Sequence, residues 1–320
     1  MITNLAFKGG GVKGIAFVGA LRELEKADHL LNIKRVGGTS AGALVAAMYA
    51  LDYTIDEIEK LMHGLNFRSF EDHFNPIRIV THYGLYEGDY ILDFAHNLLL
   101  NCNKGLPAKA TFNDLRIAGC RDLYVFATNL NAHCVVEFSA DKTPHAFVAE
   151  AIRASMSIPL FFKAWQFSNG IPDSHIYVDG GLLFNYPISF FDSPRFTSVV
   201  NELNPETIGL FLQSPPADQT NDELKFDTVL HYTRHLFETL LDSQDQSFNE
   251  DGVQLSRSVI INDLGIPATK FNLNADDMKA LVDSGAKGAL SFIETYNKSI
   301  SVSQSAIAEL VAVASPAGTI

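Results

Sequence analysis

The chain has 320 residues, enough for one large domain or two small ones, and its 47% apolar and 19% charged residues make an ordinary globular composition rather than a disordered one. A formal net charge of −13 lacks the basic footprint of a nucleic-acid binder and disfavours electrostatic docking on anionic lipid. Cys102, Cys120 and Cys134 lack metal-ligand spacing and read as reduced thiols, no apolar run approaches the roughly 18 residues of a membrane span, and MITNLAFKGGG has no apolar signal core.

In chain order, Thr3 to Phe7 predicts a buried strand, followed by Lys8 and the run Gly9-Gly10-Gly11-Val12-Lys13-Gly14. A helix follows from about Val12 to Ala27, with Ile15, Val18, Leu21 and Leu24 on one apolar stripe. The run IKRVGG predicts a second strand that enters Gly38-Thr39-Ser40-Ala41-Gly42, a match to G-x-S-x-G, and the small-residue helix AGALVAAMYAL leaves it. Small residues around Ser40 let a strand turn sharply into a helix and lift the hydroxyl onto an exposed corner. The helix N-terminus then points its dipole and free N–H groups at that corner. Strand, glycine loop, helix and strand in this order form a βαβ unit, so the fold class is α/β with a mostly parallel sheet covered by helices.

Thr54 and Glu57 predict a capping box for a helix through Leu61. From Phe67 to Tyr90 the chain carries six aromatics and reads as a long irregular connection, broken at His73, Asn75-Pro76 and Gly84, before a helix at about Asp89 to Leu100. LYVFATNL and CVVEF predict paired strands, and PHAFVAEAIRASM a helix ended by Ser157-Ile158-Pro159. IYVDGGLLFNYPI is a strand running into Asp179-Gly180-Gly181. TIGLFLQ and SVIIND are two further strands, separated by an amphipathic helix from about Glu223 to Gln246. ADDMKALVDSGAKGALSFIETY is a last helix, and beyond Lys298 the composition predicts a weakly helical or mobile tail. The expected organisation is one domain over residues 1–297 with a tail over 298–320.

Gly9, Gly11 and Gly14 satisfy G-x-G-x-x-G, but the second strand ends in the Ser40 turn rather than in the acidic residue that a dinucleotide site needs. A phosphate-binding P-loop also fails, because Gly14 rather than Ser or Thr follows Lys13. Consecutive glycine amides backed by a helix N-terminus instead form an anion pocket. If the first two strands are neighbours, that pocket lies beside Ser40 as an oxyanion hole, where each donor is worth about 3–4 kcal/mol to a transition state. Lys13 is either an added positive charge there or a solvated helix lysine. For a base, His231 and His235 sit four apart on the long helix, a spacing that suits a helix face rather than a loop at the sheet edge. Asp179 is the stronger candidate, since it ends a strand and two glycines leave its carboxylate uncrowded; the alternative is a turn aspartate.

The GGGxKG loop, the GTSAG turn, ASMSIP and a late DGG, in this order, resemble the patatin-like phospholipase family, and GLYEGDYILDF, FATNL and GGLLFNYPI extend the likeness over about Asn4 to Tyr296. The resemblance implies a three-layer α/β/α sandwich, a Ser40–Asp179 dyad and an oxyanion hole from the Gly9, Gly10 and Gly11 amides, with Lys13, Gly38, Gly42, Gly180 and Gly181 in support. It further implies hydrolysis of phospholipid or lysophospholipid acyl esters at a membrane or micelle surface, without cofactor or metal. Lys13 is a departure, because the family more often has arginine there and lysine lacks the planar fork. Leu160, Phe161, Phe162, Trp165 and Phe167, together with the Phe67–Tyr90 connection, form a candidate acyl channel or lid. The expected location is cytoplasmic or peripheral at membranes, with export by a specialised route and a protein activator both left open. An acyltransferase using the same acyl-enzyme, or a non-catalytic lipid binder, stands as the alternative.

Overall fold

A computed structural model describes residues 1–198, 203–215, 228–249 and 251–314, apart from the side chains of residues 229, 230, 234, 249, 253 and 299–314. Strand β1 (Asn4–Phe7) leads through a 3-10 turn at Gly11–Ile15 into α1 (Ala16–Lys26), and β2 (Arg35–Thr39) into α2 (Ala41–Ala50) and α3 (Ile55–Gly64). The connection expected to be irregular contains α4 (Arg78–His82) and β3 (Gly84–Tyr86). Next come α5 (Asp89–Asn101), α6 (Phe112–Ile117), β4 (Asp122–Asn129), β5 (Cys134–Phe138), α7 (Val148–Ser155), β6 (Leu160–Phe162) and β7 (Tyr177–Asp179). The described chain closes with β8 (Thr207–Gln213), α8 (Val229–Asn249), α9 (Gly252–Leu255), β9 (Ser258–Asn262) and α10 (Ala275–Ala314). The start of the helix expected from Glu223 lies partly outside the described residues, and the last helix runs past Lys298, where the sequence predicts weak helicity.

The main sheet has the order β5-β4-β2-β1-β8-β9, parallel from β4 to β9, with β5 antiparallel to β4. Side-chain alternation divides the core in two. Leu5, Phe7, Leu123 and Val125 point to the face covered by α1, α2 and α10, whereas Ala6, Tyr124 and Phe126 meet the aromatic segment around Ile188 and Phe191 on the other. Elements on both faces of a mostly parallel sheet make the three-layer α/β architecture expected from the βαβ pattern. All ten residues of α2 are buried, because AGALVAAMYA has no polar side to present to water.

The capping box at Thr54 and Glu57 is formed, with both reciprocal bonds made. Long-range packing decides what periodicity does not. Helices α1 and α10 cross with backbones in contact: a Cβ on Gly19 would lie 1.9 Å from the Val282 carbonyl oxygen, and one on Gly285 1.8 Å from that of Ala16. The strand β3 exists because β6 pairs with it, Gly84 opposite Leu160 and Tyr86 opposite Phe162.

Candidate active site

The site is assembled on β4. Thr39 at the end of β2 pairs with Phe126, and β7 lies antiparallel along the same strand's continuation, with Asp179 opposite Ala127 and Tyr177 opposite Asn129. Because β5 occupies the other edge of residues 125–129, β7 takes the edge that β2 vacates. The two strands therefore run toward each other and end on adjacent residues of β4. That register brings Ser40, one residue past β2, to Asp179, the last residue of β7.

Ser40 has φ 53° and ψ −126°, a conformation that costs a non-glycine residue about 1–3 kcal/mol and persists only when its surroundings impose it. Several contacts impose it. The Ser40 N–H donates to Ser155 Oγ (2.8 Å), whose own hydroxyl donates to the Phe126 carbonyl (2.6 Å). The Ser40 carbonyl accepts from the Ala43 and Leu44 amides, which starts α2 at once. Backbones close in tightly here, since a Cβ on Gly42 would stand 2.5 Å from the carbonyl oxygens of both Phe7 and Lys8, and one on Gly38 would stand 2.3 Å from that of Gly42.

Ser40 Oγ donates to Asp179 Oδ2 at 2.7 Å, and Asp179 Oδ1 accepts the Gly181 N–H at 2.7 Å. The carboxylate is 1% exposed and meets no cation among the described residues, so burial pushes its pKa up to about 7 against the opposing pull of the Gly181 and Ser40 hydrogen bonds. An aspartate with an ordinary pKa is a weak base for a hydroxyl, and the buried one is closer to the value that proton transfer needs near neutrality. The His235 ring pairs instead with Glu238 on its own helix, at 3.6 Å.

Of the three loop glycines, Gly9 uses its N–H on the Asn185 carbonyl (2.9 Å), while no acceptor among the described residues takes the Gly10 and Gly11 amides. The Gly9 N–H, expected as an oxyanion donor, is thus engaged elsewhere in this arrangement, and Gly10 and Gly11 keep theirs available. Lys13 pairs with Asp263 (2.5 Å), a carboxylate also bonded by Ser214, so its charge is held by a carboxylate. Gly180 packs under the Phe126 carbonyl, where a Cβ would come within 2.3 Å, and leaves room for the turn after Asp179.

The task of the ASMSIP segment is not legible in the sequence. In the fold its two serines clamp both reacting groups: Ser155 holds the Ser40 amide, and the Ser157 carbonyl accepts the Asp179 N–H (2.8 Å). Arg153, fully buried on α7, fixes Ser157 through Oγ (2.6 Å) and ties the Glu87 and Lys163 carbonyls together. Burial lowers its guanidinium pKa to about 10. An arginine set among Ala151, Ile152 and Ala154 and followed by two serines within four residues is the signal that the sequence offers.

Helix α8 closes the site from outside. Gln244 donates to the Gly181 carbonyl (2.8 Å) and accepts from the Asn185 amide (2.9 Å), while Asp245 pairs with buried Lys8 at 2.5 Å. Beside the glycine loop a polar cavity of about 210 Å³ is lined by Gly9, Gly10, Lys13, Asp242 and Asp245. Next to it Ile158, Phe161, Phe237 and Leu241 leave an apolar cleft of only about 20 Å³, room for about one water. Ser40 itself is 7% exposed. Among the described residues no group of three or more His, Cys, Asp or Glu side chains is placed to hold a metal ion, and no helix is long and apolar enough to cross a membrane.

A family model for patatin-like phospholipases matches residues 5–192. The chain is 30% identical to protein YqhO of Bacillus subtilis over 312 residues, covering 92% of this chain and 99% of that one. Over a 60-residue stretch, 18% of this chain and 19% of the other, it is 45% identical to a cUMP-AMP-activated phospholipase of Escherichia coli. The crystal structure of VipD from Legionella pneumophila superposes with a TM-score of 0.62 at 16% identity, over 92% of this chain and 67% of that one, a likeness of fold.

Proposed function

Because the chain belongs to the patatin-like phospholipase family, whose members are lipid hydrolases, we propose that it cleaves carboxylic esters of membrane lipids with Ser40 as nucleophile and Asp179 as its only base. The observation that carries this reading is the 2.7 Å bond from Ser40 Oγ to a buried carboxylate, beside a glycine loop with two unengaged amides. Ser40 Oγ attacks the ester carbonyl carbon while its proton passes to Asp179 Oδ2. The Gly10 and Gly11 amides, with the N-terminus of α2, face the oxyanion. Collapse expels the lysolipid alcohol, which takes the proton from Asp179 and leaves an acyl group on Ser40. The same carboxylate then deprotonates a water that hydrolyses the acyl-enzyme, releasing the fatty acid and restoring the serine.

The test compares the protein with Ser40→Ala on a short-chain nitrophenyl ester and on labelled phosphatidylcholine, with a fluorophosphonate probe as a direct label of the nucleophile. Loss of both activities and of labelling is expected. Ester hydrolysis undiminished in Ser40→Ala would remove Ser40 from the reaction.

A further inference from the structure

The segment 74–83, which contains α4, turns large apolar residues outward. Phe74, Ile77, Val80 and Tyr83, three residues apart, are 61%, 71%, 81% and 52% exposed. Its charged residue turns inward instead: Arg78 donates to the His73 and Leu85 carbonyls and pairs with Glu87 at 2.7 Å. Scattered exposed apolar residues need no account, but four large ones in a row on one short segment do.

The patch also leads to the apolar cleft. Phe74 contacts Tyr86 (ring centroids 5.7 Å) and Tyr86 contacts Phe161 (4.8 Å), which lines the apolar cleft with Phe237 and Leu241 of α8. On the outer side of that same helix Tyr232, Leu236 and Leu240, four apart, are 57%, 49% and 39% exposed. The cleft lining thus connects the two apolar ridges, through Tyr86 and Phe161 on one side and through Phe237 and Leu241 of α8 on the other, and its Ile158 directly follows Ser157, whose carbonyl holds the Asp179 amide.

We propose that residues 74–83 and the outer stripe of α8 form an apolar wedge that enters the interface of a lipid bilayer and holds the cleft of Ile158, Phe161 and Phe237 against it. The inference rests on lipid esters being the substrate, since the wedge is continuous with the cleft that would receive the acyl chain. Its chemistry is apolar rather than electrostatic: Arg78 is already paired, and the net charge of −13 opposes anionic lipid. A zwitterionic surface is the partner that fits.

The experiment is flotation of the full chain carrying Ser40→Ala with phosphatidylcholine vesicles, so that binding is read without turnover. Binding is expected to change little between about 0.1 M and about 0.5 M salt, because an apolar contact is not screened. Adding Ile77→Asp and Val80→Asp should lower the bound fraction by about tenfold or more, whereas Leu31→Asp, 74% exposed near the opposite end of β2, should not. In the active background the same double variant should keep its rate on a soluble ester and lose it on vesicles. Vesicle binding unaffected by the two aspartates overturns the wedge, even if hydrolysis stands. A concentration-dependent dimer that they abolish, without vesicle binding, also overturns it and assigns the patch to a second copy. Binding that the aspartates abolish in a protein without hydrolytic activity supports the wedge and removes the catalytic reading alone.

Discussion

Replacing Asp179 by Asn should abolish turnover and stabilise the fold, and the stabilisation should depend on pH. An amide keeps both local bonds, because its oxygen still accepts the Gly181 N–H and its NH2 donates to Ser40 Oγ, but it cannot take a proton. Burial raises the Asp179 pKa from 3.8 to about 7. Between about pH 4 and about 7 the folded chain therefore holds a proton that the unfolded chain has released, so stability falls as pH rises through that window. Three decades of proton affinity at about 1.4 kcal/mol each come to ~4 kcal/mol, fully present above pH 7. Asn carries no such penalty. With an unfolding entropy of about 2 cal/mol/K per residue, the variant should melt roughly 6 °C above the parent at pH 8, narrowing to about 2 °C at pH 5. Circular-dichroism melts at both pH values measure the gap, and a soluble-ester assay should show a rate lower by about 10²–10⁴-fold. A variant no more stable at pH 8, or one whose gain is the same at both pH values, would refute the claim that the site holds a desolvated carboxylate.

Two further outcomes follow from the packing. Ser155→Ala removes the acceptor of the buried Ser40 amide, an unsatisfied group worth about 1–3 kcal/mol, so the soluble-ester kcat should fall by about tenfold or more with KM little changed; an unaltered kcat would remove Ser155 as a positioning residue. Gly285→Ala inserts a methyl group where the α1 backbone lies, and should lower stability by about 2–4 kcal/mol, or roughly 3–6 °C, in thermal melts; an unchanged melting temperature would mean that the helices separate freely.

The linear sequence determined more of the chemistry than of the assembly. Gly38-Thr39-Ser40-Ala41-Gly42 has the residue sizes that a strand-to-helix turn requires, and AGALVAAMYA is apolar on all sides, so both local structure and burial were legible. The Thr54 capping box and the strand into Asp179 were legible for the same reason, since each depends on residues within a few positions. Register is a different matter. Nothing near Asp179 tells that β7 takes the edge of β4 left open by β2, 139 residues from Ser40, and that pairing is what makes the 2.7 Å bond. The tasks of Ser155 and Ser157 are set by the same meeting of strand ends, and the pKa of Asp179 by the burial that results. Strand β3 was invisible because three residues become a strand only when β6 supplies the partner. Local physics chose the groups, and long-range packing chose their neighbours, because backbone preferences act over a few residues while desolvation and strand pairing depend on whatever the folded chain brings alongside.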